Sequence, residues 1–140
     1  AAQAGPDGAS PKQARKLLRT RLGKLHQQLR RGGDAFEALA PEAQHEVRKR
    51  LKRLRYLVEF VGPCFDAKGA ARHARKLEPA QDALGLYMDE LTAQQAYRAA
   101  AAQAPRAWFA VGWLLARQPE SAHLAGQALR AAGGANRFWT

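Results

Sequence analysis

One narrow apolar seam in the middle of the chain constrains the fold more than any other sequence feature. Five apolar residues recur there at steps of three and four positions: Val47, Leu51, Leu54, Val58 and Val61. This spacing places side chains on one face of an α-helix. Pro41 suits the first turn of that helix, and Gly62 with Pro63 ends it. Strand-type alternation of useful length is absent from the sequence, so we predict an all-α fold.

The same periodicity predicts helices on both sides of the seam. A first helix covers 12–31, with Ser10 as its N-cap and a stop at Gly32 and Gly33. A third covers about 68–84, bent at Pro79 and ended by Gly85. A fourth covers 89–102, a short one 106–117, and a last one runs from 119 or 121 to 131. The predicted architecture is a helical bundle of four main helices plus one or two shorter ones.

The ends of the chain and its most apolar segment complete the domain prediction. Residues 1–10 are expected to be a disordered tail, 11–131 the helical bundle and 132–140 a C-terminal tail. The helix over 106–117 is apolar around most of its circumference, so Trp108, Phe109 and Trp113 are expected in the core. Phe138 and Trp139 are expected to cap the bundle or to contact a missing half.

Charge is the first functional clue. The 140 residues carry 23 Lys and Arg against 12 Asp and Glu, a formal net charge of +11. Such an excess attracts polyanions, so nucleic acid, anionic lipid and phosphate polymers are the candidate partners. The single Cys64 cannot form an intramolecular disulfide, and a zinc-type Cys/His cluster is absent. The longest apolar run, 107–116, is too short to span a membrane.

The basic residues are segregated on two predicted helices. A projection of the second helix at 100° per residue places six residues with only one acid, Glu59, on a face away from the seam: His45, Arg48, Lys49, Lys52, Arg55 and Tyr56. Arg50 and Arg53 fall outside that face. A similar projection of the first helix groups Lys12, Arg15, Lys16, Arg19, His26 and Arg30. We expect the two stripes to form one continuous basic groove, although a solvated face is the common alternative for such a pattern.

Two motifs in this sequence resemble those of the CHAD family, the conserved histidine α-helical domains. The run from His45 to Tyr56 matches the family pattern His-x-x-Arg-Lys-x-x-Lys-Arg-Leu-Arg-Tyr at every position. A second element is similar to Leu-x-x-Leu-Gln-Asp-x-Leu-Gly-x-x-x-Asp and is carried by Leu77, Gln81, Asp82, Leu84, Gly85 and Asp89. It departs from the pattern at Ala80, where Leu is usual.

The resemblance implies a ligand and a partner. CHAD domains consist of two similar four-helix halves that enclose a basic channel, and their implied ligand is inorganic polyphosphate. The resemblance implies that the ligand-binding histidine and basic residues of the family correspond to His45, Arg48, Lys49, Lys52 and Arg55. This chain has one such motif and resembles a C-terminal half, so either a missing N-terminal half or a second copy is expected to complete the channel. The resemblance also implies a cytoplasmic location, with polyphosphate granules as a candidate site. No cofactor and no metal are expected.

We therefore expect non-catalytic binding of polyphosphate, with other polyanions as further candidate ligands. The expected binding residues are His45, Arg48, Lys49, Lys52, Arg55 and Tyr56, flanked by Arg15, Lys16 and Arg19. His45 is expected to donate a hydrogen bond to phosphate. Two alternatives stay open. The first is a nucleic-acid-binding basic module that uses the same charge. The second is a targeting or regulatory domain of a larger phosphate-metabolising enzyme. An enzymatic role for the chain itself is not expected, because no acidic cluster is available to hold Mg²⁺ or Mn²⁺.

Overall fold

A computed structural model describes Gly8 and residues 10–140, and these residues form a bundle of four α-helices. The helices are α1 (Pro11–Ala35), α2 (Pro41–Val61), α3 (Ala67–Ala101) and α4 (Ala107–Gly133). Short 3-10 turns, Phe36–Ala38 and Gly62–Cys64, precede and follow α2. The all-α prediction is confirmed. The prediction of a disordered tail over 1–10 lies almost entirely outside the described residues.

The start of α1 follows the sequence signal closely. The Ser10 hydroxyl accepts a hydrogen bond from the Gln13 amide at 3.2 Å, and the Gln13 side chain accepts one from the Ser10 amide at 2.9 Å. This reciprocal capping box satisfies two amides that lack helical partners. Pro11 takes the first helical position, where a missing N–H is harmless.

The predicted end of α1 at Gly32 and Gly33 is wrong, because the helix continues to Ala35. Both glycines serve close packing instead. A Cβ on Gly32 would lie 2.9 Å from Cγ2 of Val47 on α2, and one on Gly33 would lie 3.0 Å from the Arg130 amide nitrogen on α4. These positions therefore let α1 approach both of its neighbours.

The third and fourth predicted helices are one continuous helix, so the break predicted at Gly85 is wrong. One buried stripe runs through the whole middle of α3: Ala70, His73, Leu77, Ala80, Leu84, Tyr87 and Met88. Packing of this stripe outweighs the cost of about 1 kcal/mol for a glycine inside a helix. Pro79 has no N–H to donate to the carbonyl of Arg75, four residues earlier. Both residues are exposed, so that carbonyl lies on the solvent side of α3.

The last two predicted helices are likewise a single helix, α4, with Pro119 in its interior. Pro119 is exposed and removes the hydrogen bond to the carbonyl of Leu115, which is also exposed. Burial on both sides of the proline holds the helix together, with Leu114 before it and Ser121, Ala122 and Ala125 after it.

The four helices are arranged as a ring in which each packs on two neighbours. α1 contacts α2 and α4, and α3 contacts the same two helices. The central core is built from the seam of α2 together with leucines of the other helices: Leu22, Leu25, Leu29, Leu77, Leu84 and Leu129. A buried hydrogen bond from the Tyr87 hydroxyl to Gln44 Oε1, 2.9 Å long, fixes the register of α2 against α3.

α3 and α4 extend past the connector that joins α1 to α2. That connector lies beside Tyr87 and Gly126, since Phe36 stacks edge-on against Tyr87 and a Cβ on Gly126 would meet the Glu37 carboxylate. Beyond this level the two long helices contact each other, with hydrogen bonds from Arg117 and Ser121 to Glu90. We call residues 91–120 the projecting hairpin.

The prediction that Trp108, Phe109 and Trp113 belong to the core is wrong. These side chains are 57%, 87% and 62% exposed. Val111 and Leu114, on the opposite side of α4, are buried against α3. The segment is apolar all round because it has one face on α3 and a second apolar face in solvent, and α1 and α2 end before they could cover the second face.

Candidate functional site

The predicted binding residues of α2 lie together on the outside of the bundle. We call them the α2 stripe: His45, Arg48, Lys49, Lys52, Arg55 and Tyr56. All are exposed except Arg48, which is half-buried. The buried seam of α2 contains Val47, Leu51 and Leu54, so the stripe and the core lie on different faces of one helix. The projection made from the sequence therefore places these side chains correctly relative to the core.

Two of the cations in the α2 stripe are engaged by carboxylates on the same helix. Lys49 Nζ lies 3.2 Å from Glu46 Oε1, and its hydrogen bond lowers the pKa of Glu46. Arg55 Nε lies 2.9 Å from Glu59 Oε1, and this bond raises the pKa of Arg55. Within residues 10–140, neither Arg48 nor Lys52 has a carboxylate at ion-pairing distance. Their charges are therefore the least neutralised of the stripe.

The α2 stripe borders α3. Gln44 is on the same edge of α2 as Arg48 and Arg55, and it binds Tyr87 of α3. At the other end of α2, a Cβ on Gly62 would meet Cβ of Ala70 on α3. The Glu78 carboxylate on α3 adds a small upward effect to the pKa of Arg55. A polyanion that follows the stripe would therefore run along the α2–α3 side of the bundle.

The basic residues of α1 lie near its start, and two of them contact other parts of the chain. The guanidinium carbon of Arg15 lies 4.6 Å from the centre of the Phe65 ring, a cation–π contact. Arg19 Nε donates to the carbonyl of Trp139 at 2.9 Å. Arg15, Lys16 and Arg19 are nevertheless exposed. No contact among the described side chains joins this group to the α2 stripe, so the continuous groove stays a prediction.

His26, which the projection placed on the basic face of α1, is buried and 2% exposed. The C-terminal segment that follows α4 covers it. Trp139 is buried between α1 and α3, with its ring 5.6 Å from His26 and 5.3 Å from His73, centre to centre. Phe138 packs edge-on against His73. The expectation that Phe138 and Trp139 cap the bundle agrees with this placement.

The two buried histidines are held in their neutral form. His73 Nδ1 donates to the carbonyl of Asn136 at 2.9 Å, which leaves its Nε2 as a buried acceptor without a partner among the described residues. Burial is the main cause that lowers the pKa of His26 to about 4, and the charges of His73 and Arg137 add to the effect. Burial also lowers the pKa of His73. Neither histidine is a cation that a polyanion could use.

A second basic surface, which sequence reasoning missed, flanks the C-terminal segment. One cavity of about 370 Å³ is lined by His26, Arg30, Asp34, Arg130 and residues 133–137. Another, of about 210 Å³, is lined by Arg72, His73, Lys76 and residues 136–138 together with Asp66 and Gly69. Arg72, Arg75 and Lys76 follow the spacing i, i+3, i+4 on α3, so a projection of the predicted helix over 68–84 would have shown this cluster in the sequence.

The described residues offer little else for chemistry. Among them, no group of three or more His, Cys, Asp or Glu side chains is placed to hold a metal ion. None of the helices described is both long and apolar enough to cross a bilayer. Cys64, in the turn after α2, is exposed and unpaired in a disulfide.

Fold and surface together define a four-helix-bundle protein with an exposed cationic helix face. The family model described as CHAD domain matches residues 1–98, or 98 of the 140 residues. The chain belongs to the CHAD domain family, as its motifs predict. No curated protein and no solved structure matches it.

Proposed function

We propose that this chain binds linear inorganic polyphosphate along the α2 stripe, without catalysis. The observation that carries the proposal is the position of Arg48 and Lys52. Both lie on a face of α2 away from the core, and neither has a carboxylate partner within residues 10–140. The linkage of the CHAD family to polyphosphate supports the same ligand.

The chemistry of the stripe suits a phosphate chain. An arginine guanidinium donates paired hydrogen bonds to phosphate oxygens, while a lysine ammonium acts as a point charge. Successive turns of α2 repeat this combination from Arg48 to Arg55, over about 10 Å, because seven residue steps of helix rise that far. Lys49 and Arg55 would exchange Glu46 and Glu59 for phosphate, at little cost because exposed ion pairs are weak. His45 and Tyr56, both exposed, supply further hydrogen-bond donors at the two ends.

The flank on α1 and the second basic surface give the polymer further contacts. Arg15, Lys16 and Arg19 are exposed near the start of α1, and Lys76 and Arg137 line the second cavity. Each phosphate contact releases counterions, so affinity falls steeply as salt rises. A partner that completes a channel, either an N-terminal half or a second copy, would add cations around the same chain and tighten binding.

Charge reversal on α2 tests this assignment. The double variant Arg48→Glu/Lys52→Glu should weaken polyphosphate binding by at least about tenfold, because it removes two donors and introduces repulsion. Helicity and melting temperature should stay nearly unchanged, since both side chains face away from the seam. The measurement is a fluorescence titration with long-chain polyphosphate near 150 mM salt.

Arg50→Glu/Arg53→Glu is the matched control for that experiment. It makes the same change in net charge on the same helix but outside the stripe, and it should lose much less affinity. An equal loss in both variants would mean that only net charge matters, which contradicts a dedicated stripe.

A nucleic-acid ligand is the second candidate, and one observation favours it. Tyr56 and Phe60 lie one turn apart on α2 and are 63% and 87% exposed. Exposed aromatic rings beside cations can stack unpaired bases. Under this alternative, Phe60→Ala weakens binding to single-stranded RNA while binding to polyphosphate, which has no bases, is unaffected.

A further inference from the structure

The solvent side of the first three turns of α4 is apolar. We call it the hairpin face: Trp108, Phe109, Gly112, Trp113 and Ala116. These positions span about 140° of a helical projection at 100° per residue, and each is exposed. A contiguous exposed apolar patch of this kind is often a functional site of interaction.

The projecting hairpin is also nearly uncharged. Between residues 91 and 116 the only charged side chains are Arg98 and Arg106. Arg117, next along α4, is paired with Glu90 at 3.0 Å and lies 4.7 Å from the centre of the Trp113 ring. An apolar centre with few charges, rich in tryptophan and phenylalanine, is typical of the core of a protein–protein interface. Faces that bind anionic membranes are rimmed with many Lys and Arg. This chain carries most of its cations on α1, α2 and the first half of α3, so the hairpin face lacks such a rim.

The hairpin face is shaped to fit a copy of itself. Its centre is low, because Gly112 and Ala116 have almost no side chain. Apart from the adjacent residues and the backbone of the same helix, no atom lies within 4 Å of a Cβ placed on Gly112. Trp108, Phe109 and Trp113 stand around this hollow. Two helices related by a two-fold axis can therefore place the Phe109 ring of each copy over the Gly112 hollow of the other, which is the self-complementarity that an isologous contact requires.

We propose that the hairpin face joins two copies of this chain in a two-fold dimer. The exposed parts of the three aromatic rings would bury on the order of 500 Å² per copy, less than the roughly 800 Å² per partner of a standard interface. A weak, reversible dimer is expected, with a Kd on the order of 10 μM. The dimer does not depend on the ligand of the α2 stripe.

Sedimentation velocity of the full chain, without polyphosphate and from about 1 to 200 μM, tests the dimer. The wild-type protein should shift from monomer to dimer across this range. Phe109→Glu should raise the dissociation constant at least about tenfold, because it places a like charge from each copy in the contact. Phe60→Glu is the matched control: Phe60 is exposed to the same 87% but lies on α2, so its dimerisation should equal that of the wild type.

A second variant tests the close approach at the hollow. Gly112→Gln should keep the monomer folded, since the position is open, yet weaken the dimer by filling the hollow. Circular dichroism at low concentration checks the fold of all variants. A wild-type protein that stays monomeric at 200 μM overturns the proposal, and so does equal weakening by Phe60→Glu and Phe109→Glu. Binding of a monomeric wild type to vesicles of anionic lipid, lost in Phe109→Glu, would assign the face to membranes instead.

Discussion

His26 and His73 show how single residues here depart from their sequence pattern. Both are basic types, yet both are buried as neutral rings beneath Trp139. By contrast, Lys49, Lys52 and Arg55 of the α2 stripe are exposed to solvent. A basic residue on a projected polar face is therefore available to bind a ligand only when no other segment covers it. The C-terminal segment that covers His26 lies more than 100 residues away in the chain, so periodicity within α1 cannot predict this burial.

The buried histidines make stability depend on pH. The pKa of His26 is about 4 in the folded protein, against about 6.5 when exposed. The unfolded chain therefore binds more protons between these values, so stability is full above pH 6.5 and falls as pH drops toward 4. The loss from His26 is on the order of 3 kcal/mol. The neighbouring charges of Arg30, Arg137 and a protonated His73 act in the same direction.

Urea unfolding at pH 7.5 and pH 5 measures this effect. The wild-type midpoint should fall on acidification, and His26→Phe should lose less, because its side chain does not titrate. Equal losses in the two proteins would show that His26 is not the source of the pH dependence.

At the scale of elements, α2 is the helix that the sequence predicts best, and α3 and α4 are the ones it predicts least well. Pro41, the seam and Gly62 act together at α2, and the observed bounds agree with them. Within α3, Gly85 and Pro79 are local signals for a break, but Leu84, Tyr87 and Met88 continue the buried stripe through them. The low helix propensity of glycine costs about 1 kcal/mol at Gly85, and the burial of several large side chains stabilises the helix by more than that.

A pair of glycine substitutions distinguishes a helix interior from a helix end. Gly85→Ala should stabilise the protein by about 0.5–1 kcal/mol, because the position is helical and, apart from the adjacent residues and the helix's own backbone, no atom lies within 4 Å of the added Cβ. Gly33→Ala should destabilise it by about 1–3 kcal/mol, because the added Cβ lies 3.0 Å from the α4 backbone. Thermal melting at neutral pH measures both. Destabilisation by Gly85→Ala would indicate that α3 ends there.

At the scale of the whole molecule, the bundle separates two surfaces. The α2 stripe lies on the side of the bundle, while the hairpin face lies on the part of α3 and α4 that projects past α1 and α2. The sequence predicts the cations of the stripe, because their helical spacing and the family motif fall on one continuous helix. It does not predict the exposure of Phe109, because apolar content indicates burial without saying whether the partner is in the same chain.

The position of the cations relative to the neighbouring helices cannot be predicted from the sequence and follows only from the three-dimensional structure. Tertiary packing decides which neighbour lies at each edge of a helix. Gln44 and Gly62 place the α2 stripe against α3, and the C-terminal segment lies beside Arg19 on α1. Periodicity within one helix contains no information on which neighbour lies at which edge. The second basic surface as a whole depends on the fold for a related reason, since its cavities combine residues of α1, α3 and α4 with the segment after α4.

A side-by-side titration tests the central claim most directly. The wild-type chain is titrated with long-chain polyphosphate and with single-stranded RNA of equal phosphate count, near 150 mM salt, where weak surface attraction is largely screened. We predict that polyphosphate binds at least about tenfold more tightly, because a closely spaced phosphate chain matches the Arg and Lys donors of the α2 stripe. Equal or weaker binding of polyphosphate would contradict the account and leave a basic helical bundle that attracts polyanions by net charge alone.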